Sequence, residues 1–210
     1  MFAGDKAVVV CAGMGKEAAR RATEAVLQRI RPELIVSAGF ARALTSDQRV
    51  AEIVVPAEVF EVATKESFPT LFGSGQLWTS FQVVEDSSPP AGIKLFDCRG
   101  VDMEAAGVAE VAAAHGVPFI AVKSISDEAH FKMPPVAQFI RPDGGFQTAA
   151  FLFHVGMRPR TWPGVVALAI NSNLAAEKLC GALRSLIDSR TIQGFDLNVE
   201  LARVGAEVAH

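Results

Sequence analysis

Residues 101–127 read VDMEAAGVAEVAAAHGVPFIAVKSISD, and this stretch decides the fold. Glu104 to Ala114 is rich in alanine and other good helix formers. Val117 to Ile125 (VPFIAVKSI) is a nearly continuous apolar run of strand length, the pattern of a strand buried on both faces. A helix feeding a buried strand predicts an α/β sheet, and ligands of open α/β sheets bind at the C-terminal ends of the strands. Ser124-Ile125-Ser126-Asp127 stands at such an end, which makes Asp127 a candidate functional acid; the other reading is an Asp capping the following loop. Val101-Asp102-Met103-Glu104 opens the helix, where acids also serve as caps or offset the helix dipole.

Working outward, the same alternation continues. Lys6–Cys11 (KAVVVC) reads as a short strand, followed by a Gly13-Met14-Gly15 turn and a helix with Ala18, Ala22, Ala25, Val26 and Ile30 on one face. Arg31-Pro32 stops that helix, and Leu34–Ala38 (LIVSA) predicts a buried strand ending at Gly39. Such a strand–helix–strand unit predicts parallel pairing of its two strands. Ile53–Val62, interrupted at Pro56, and Gln76–Val84 add strand character, the latter with Leu77, Thr79, Phe81 and Val83 on one face. Asp127–Phe146 predicts a long irregular loop, a length that in a compact domain usually marks a functional segment or lid. A helix from about Val165 to Ile187 closes the pattern. The expectation is a three-layer α/β fold, one domain over 1–187, with a weakly patterned tail over 188–210.

Composition narrows the function classes. A net charge of −3 without basic blocks argues against a nucleic-acid partner and gives no electrostatic reason to expect an anionic-membrane partner. Cys11, Cys98 and Cys180 form neither a disulfide framework nor a zinc motif, so no metal site is expected. No signal peptide or membrane-spanning run is apparent, which predicts a cytoplasmic protein. Gly13-Met14-Gly15-Lys16-Glu17-Ala18 fits the permissive dinucleotide fingerprint. The acid expected near the end of the second strand is missing there, since Glu33 precedes that strand.

Taken together, AGMGKEAARRA, LIVSAGFARAL, VDMEA and SISD resemble the superfamily of methylthioadenosine/S-adenosylhomocysteine nucleosidases and purine nucleoside phosphorylases. The resemblance runs from about Ala7 to Ile187, and GQLWTSFQVVE and RPDGG look closest to its hopanoid-associated phosphorylase branch. It implies a central mixed β-sheet flanked by helices and cleavage of the N-glycosidic bond of an adenosine-like purine nucleoside. The alternative is a nucleoside-binding protein without catalysis.

By position in the family motifs, Asp127 matches the acid that protonates the leaving base, and Glu104 the glutamate that clasps the ribose hydroxyls. Met103 matches the methionine packed on the ribose. Ser126 helps orient the base, Met14 lies near the 5′ substituent, and Gly39 and Phe40 belong to the anion- or water-binding turn. The resemblance implies no cofactor, with phosphate as co-substrate if the reaction is phosphorolysis; Arg42, just after the turn, is then a candidate phosphate ligand. Lys123 departs from the arginine common at its position. The strand Lys6–Cys11 aligns inside the family fold, so the family's first strand is expected to be missing and turnover reduced. Family members are usually oligomers, and Phe60, Phe68, Phe72 and Trp78 are candidate interface residues for a homo-oligomer.

Overall fold

A computed structural model describes residues 2–3, 6–11, 13–81, 97–141 and 143–208. The chain begins with β1 (Phe2–Ala3) and β2 (Val8–Val9), then α1 (Lys16–Leu27) and β3 (Ile35–Arg42). Four short strands follow: β4 (Ile53–Val54), β5 (Glu58–Glu61), β6 (Ser67–Pro69) and β7 (Gln76–Thr79). After β8 (Cys98–Asp102) come α2 (Ala105–Ala114) and β9 (Phe119–Asp127). The C-terminal part holds α3 (Thr148–Gly156), α4 (Trp162–Ser189), β10 (Thr191–Ile192), β11 (Phe195–Asp196) and α5 (Leu197–Val208).

The expected α/β architecture is present as a seven-stranded mixed sheet in the order β4-β9-β3-β8-β7-β5-β6. β3 runs parallel to β9 and antiparallel to β8, while β7 is parallel to both β8 and β5. β4 and β5 lie at opposite ends of this order, yet only Val55–Ala57 separates them. So short a link cannot span an open sheet of this width. The sheet therefore curls until its ends meet, and the Leu71 N–H donates to the Phe119 carbonyl at 2.8 Å across the gap.

β9 is buried along its whole length, as its unbroken apolar run requires. Its odd-numbered residues Phe119, Ala121 and Ile125 pack with Ala105, Ala109 and Ala112 of α2. Its even-numbered Ile120 and Val122 pack with Leu179 and Leu186 of α4 on the other face. Period-two alternation thus divides one strand between two helical layers.

Several expectations change. β2 does not pair with β3; it forms an antiparallel pair with β1, because β3 is already flanked by β9 and β8. Phe60, Phe68, Phe72 and Trp78 serve this chain's own core: Trp78 and Phe72 are buried, Phe60 and Phe68 pack against buried clusters, and Phe72 stacks on Phe195 at 4.9 Å. Phe81, placed on the strand's inner face by alternation, lies beyond the end of β7 and is exposed, and Val83 falls outside the described residues. The segment after Ile187 contributes Ile192 and Leu197 to the cluster under α4.

Candidate functional site

The site forms where the ends of β3, β8 and β9 converge. Residues pair in register from Ile35↔Phe119 to Ala41↔Ile125, and then a bulge between Ala41 and Arg42 sets Arg42 opposite Asp127. Bulges re-aim side chains. Here the result is a buried ion pair, with Arg42 Nη1 donating to Asp127 Oδ2 at 2.8 Å. Arg42 Nη2 also donates to the carbonyls of Ala129 at 3.1 Å and Phe131 at 3.0 Å, while its buried Nε has no partner. The Ser126 hydroxyl donates to Asp127 Oδ1 at 2.8 Å, so both carboxyl oxygens are held. Burial pushes the Asp127 carboxyl above its usual value, and the Ser126 hydrogen bond and the Arg42 charge pull it back only in part.

On the other side of β3, the two acids that open α2 have different tasks. Asp102 Oδ2 accepts the Ala105 N–H at 2.9 Å, Oδ1 accepts the Thr79 hydroxyl at 2.7 Å, and Lys123 Nζ lies 2.8 Å from Oδ2. Asp102, two residues before the N-cap Glu104, therefore holds the first amide of α2, and its ion pair with Lys123 is almost wholly buried. Lys123 also donates to Ser37 Oγ at 3.2 Å from its place opposite Gly39. Glu104 is left for the site. Its Oε1 accepts the Gly15 N–H at 2.7 Å, an amide presented by a φ of +95° that suits glycine. Burial raises the Glu104 carboxyl first and the neighbouring Asp102 charge second, against the opposing charge of Lys123.

A third element closes over the glycine turn. The Met14 N–H donates to the Gly144 carbonyl at 2.8 Å, and a Cβ on Gly144 would stand 2.6 Å from the Met14 carbonyl. The long loop after β9 thus ends against the turn that holds Glu104. A cavity of about 500 Å³ abuts the start of the same loop, lined by Val50, Glu128, His130, Phe131 and Asn171. None of the residues singled out in the sequence lines it.

The candidate residues fall into two groups on either side of β3. Met14, Gly15, Met103 and Glu104 form one; Asp127, Ser126 and Arg42 form the other. Gly39 and Phe40 lie on the strand between them, with Phe40 opposite Ser124 and 41% exposed. Sequence reading missed the pairing of Arg42 with Asp127 and the network of Thr79, Asp102 and Lys123. A signal was present, because a lone cation inside an apolar strand needs a buried carboxylate partner. Arg42 is accordingly occupied by Asp127 rather than standing free as an anion ligand. Among the described residues no three His, Cys, Asp or Glu side chains form a metal-binding group.

A curled mixed sheet covered by helices, with buried Asp102 and Asp127 at its strand ends, defines the α/β class. The phosphorylase superfamily model matches residues 1–92 and 73–141, and the chain belongs to that superfamily. It is 28% identical over 151 residues to a 5′-methylthioadenosine/S-adenosylhomocysteine nucleosidase of Glaesserella parasuis serovar 5 (strain SH0165), covering 56% of this chain and 66% of the relative. It thus spans slightly less than two thirds of that protein. A crystal structure of an MTA/SAH nucleosidase superposes with a TM-score of 0.58 at 22% identity, covering 88% of this chain and 72% of the other. The Helicobacter pylori nucleosidase, complexed with a pyrrolidin-3-ol carrying a 4-amino-5H-pyrrolo[3,2-d]pyrimidine, gives 0.58 at 15% identity, covering 85% and 78%. These structures share the fold.

Proposed function

We propose that this protein cleaves the N-glycosidic bond of an adenosine-like purine nucleoside, by hydrolysis in preference to phosphorolysis. The observation that carries this reading is the pair of carboxyls, half-buried Glu104 and buried Asp127, on either side of the Gly39–Arg42 strand end, both raised above their usual value chiefly by desolvation. A carboxyl raised by burial keeps its proton to higher pH than a free one and can deliver it to a ring nitrogen of the leaving base. Protonation weakens the bond between the sugar C1′ and the base. As that bond breaks, positive charge grows on the ribose. Glu104, fixed by Gly15, accepts hydrogen bonds from the ribose hydroxyls and stabilises that charge. Met103 offers an apolar face to the sugar, and Met14 faces the 5′ end. An oxygen of water adds to C1′, the base leaves with the proton from Asp127, and the proton that the water gives up restores the Asp127 carboxyl.

Hydrolysis is favoured because the two buried cations at these strand ends, Arg42 and Lys123, are already paired with carboxylates. Neither is free to hold a phosphate, and no cofactor is needed. The named relatives are nucleosidases, in line with this choice. The exposed free thiols Cys11 and Cys180 fit a reducing, cytoplasmic setting. A binding protein without catalysis is the second reading, and the Arg42–Asp127 ion pair favours it, since a paired carboxylate is a poor proton donor. Adenine release from methylthioadenosine and adenosine, with and without inorganic phosphate, separates the cases. Phosphate-independent release supports hydrolysis, strict phosphate dependence reverses the choice, and binding without release selects the second reading.

A further inference from the structure

The segment from Gly145 to Leu174 contains no buried residue, although it includes all of α3 and nearly half of α4. Its composition is the opposite of what such exposure demands. α3 and its end present Leu152, Phe153 and Met157 to solvent, and the first half of α4 presents Trp162, Val166, Ile170 and Leu174. These side chains are between 46% and 73% exposed. The four on α4 recur every fourth residue, which puts them on one side of the helix over roughly 18 Å. The stripe stops at exposed Glu177 and Lys178, just before Leu179 and Leu186 turn the helix into the core. The Trp162 indole donates to the Val155 carbonyl at 2.9 Å and ties the start of α4 to the end of α3. Apolar exposure concentrated in one segment to this extent marks an interaction surface.

The charges around it identify the partner. No Asp or Glu occurs between Asp143 and Glu177, whereas Arg158 and Arg160 are exposed in the turn joining the two helices. Exposed Lys132 lies close by, its carbonyl 4.0 Å from where a Cβ of Gly164 would stand. Outside the segment, Glu128 lines a cavity with Asn171 of α4 and lies 3.9 Å from Arg49, which offsets its charge. A second copy packed on the same face about a twofold axis would present the same segment, which offers these arginines no acidic partner. An anionic lipid surface supplies the negative charge: apolar side chains enter the acyl boundary while Trp and Arg remain among the headgroups. No helix among the described residues is long and apolar enough to cross a membrane, so the contact is one of lying on the surface.

We propose that α3, the 157–161 turn and the first half of α4 form a docking face for an anionic phospholipid bilayer. This assignment is independent of the proposed nucleoside chemistry.

The chain provides its own reporter. It has two tryptophans, of which Trp78 is buried and Trp162 is half exposed. Adding vesicles containing phosphatidylglycerol to the full chain should shift the tryptophan emission to the blue and carry the protein into the vesicle pellet. Trp162→Phe should abolish the shift. Arg158→Gln with Arg160→Gln should lower partitioning roughly thirtyfold, from about 1 kcal/mol for each basic residue near the surface. Leu152→Ser with Phe153→Ser should abolish partitioning while leaving the thermal midpoint unchanged. Failure to partition onto anionic vesicles overturns the proposal, as does equal partitioning onto purely zwitterionic ones. So does a lipid-free dimer that Phe153→Ser dissociates in sedimentation, which would make the face an interface between copies.

Discussion

Arg42 Nη1 and Asp127 Oδ2 stand 2.8 Å apart, with the two side chains 6% and 4% exposed, at the point where a bulge brings the ends of β3 and β9 level. The same guanidinium holds the carbonyls of Ala129 and Phe131. One residue therefore controls both the charge of the candidate acid and the start of the loop beyond it.

Replacing Asp127 by Asn should lower turnover by about 10² to 10⁴, because the amide keeps the shape but cannot donate a proton to the leaving base. Nucleoside affinity, measured by calorimetry, should change little. The variant should also lose about 3–5 kcal/mol of stability, since Arg42 is left buried without a counter-ion. Undiminished base release by folded Asp127→Asn would remove the residue from the chemistry.

Arg42→Gln tests the ion pair through its pH dependence. Arg42 lowers the pKa of Asp127, so its loss should raise that pKa further. Activity requiring the protonated acid is lost as pH rises through that pKa, so the alkaline limb of kcat/KM should move to higher pH. Stability should fall most above the folded pKa of Asp127, where a charged carboxylate is buried alone. The deficit should shrink as acid neutralises it. An unmoved alkaline limb would mean that a group other than Asp127 sets it.

Glu104→Gln should uncouple stability from function. Burial and Asp102 raise the Glu104 carboxyl from its ordinary value of 4.5, so its charged form disfavours the fold at neutral pH. That cost is present above the folded pKa and disappears below the unfolded value. The variant should therefore melt higher than the parent at pH 8, with the gap closing towards pH 4. Its affinity for ribonucleosides should fall, and a 2′,3′-dideoxy analogue should scarcely notice the change. Equal losses for both sugars would make Glu104 a structural charge.

The contact between the loop and the glycine turn predicts the behaviour of Gly144→Ala. At φ +83°, with a Cβ 2.6 Å from the Met14 carbonyl, the substitution should cost about 1–2 kcal/mol from backbone strain alone, and more from the clash. Hydrogen exchange at the Met14 amide should accelerate beyond the global loss of stability. Retained protection there would show that the loop is held by other contacts.

The sequence by itself determined the elements with a long periodic signal. The alanine-rich helix after Glu104 and the apolar strand before Asp127 could be read directly, because burial on both faces requires an uninterrupted apolar run. It also determined which residues could carry chemistry, since polar groups at strand ends are few. α3 was not legible, because Leu152 and Phe153 face solvent while their neighbour Phe151 packs inward on Phe139 and Phe146, which leaves no one-sided periodicity. The pairing of β2 was not legible either, since a short apolar strand does not specify its neighbour. Only the tertiary structure separated Asp102, which takes the Ala105 amide, from Glu104, which takes the Gly15 amide, and only the bulge after Ala41 delivered Arg42 to Asp127. Those relationships depend on register between segments distant in sequence. Local periodicity encodes which face is buried, whereas register emerges from the packing of the whole sheet.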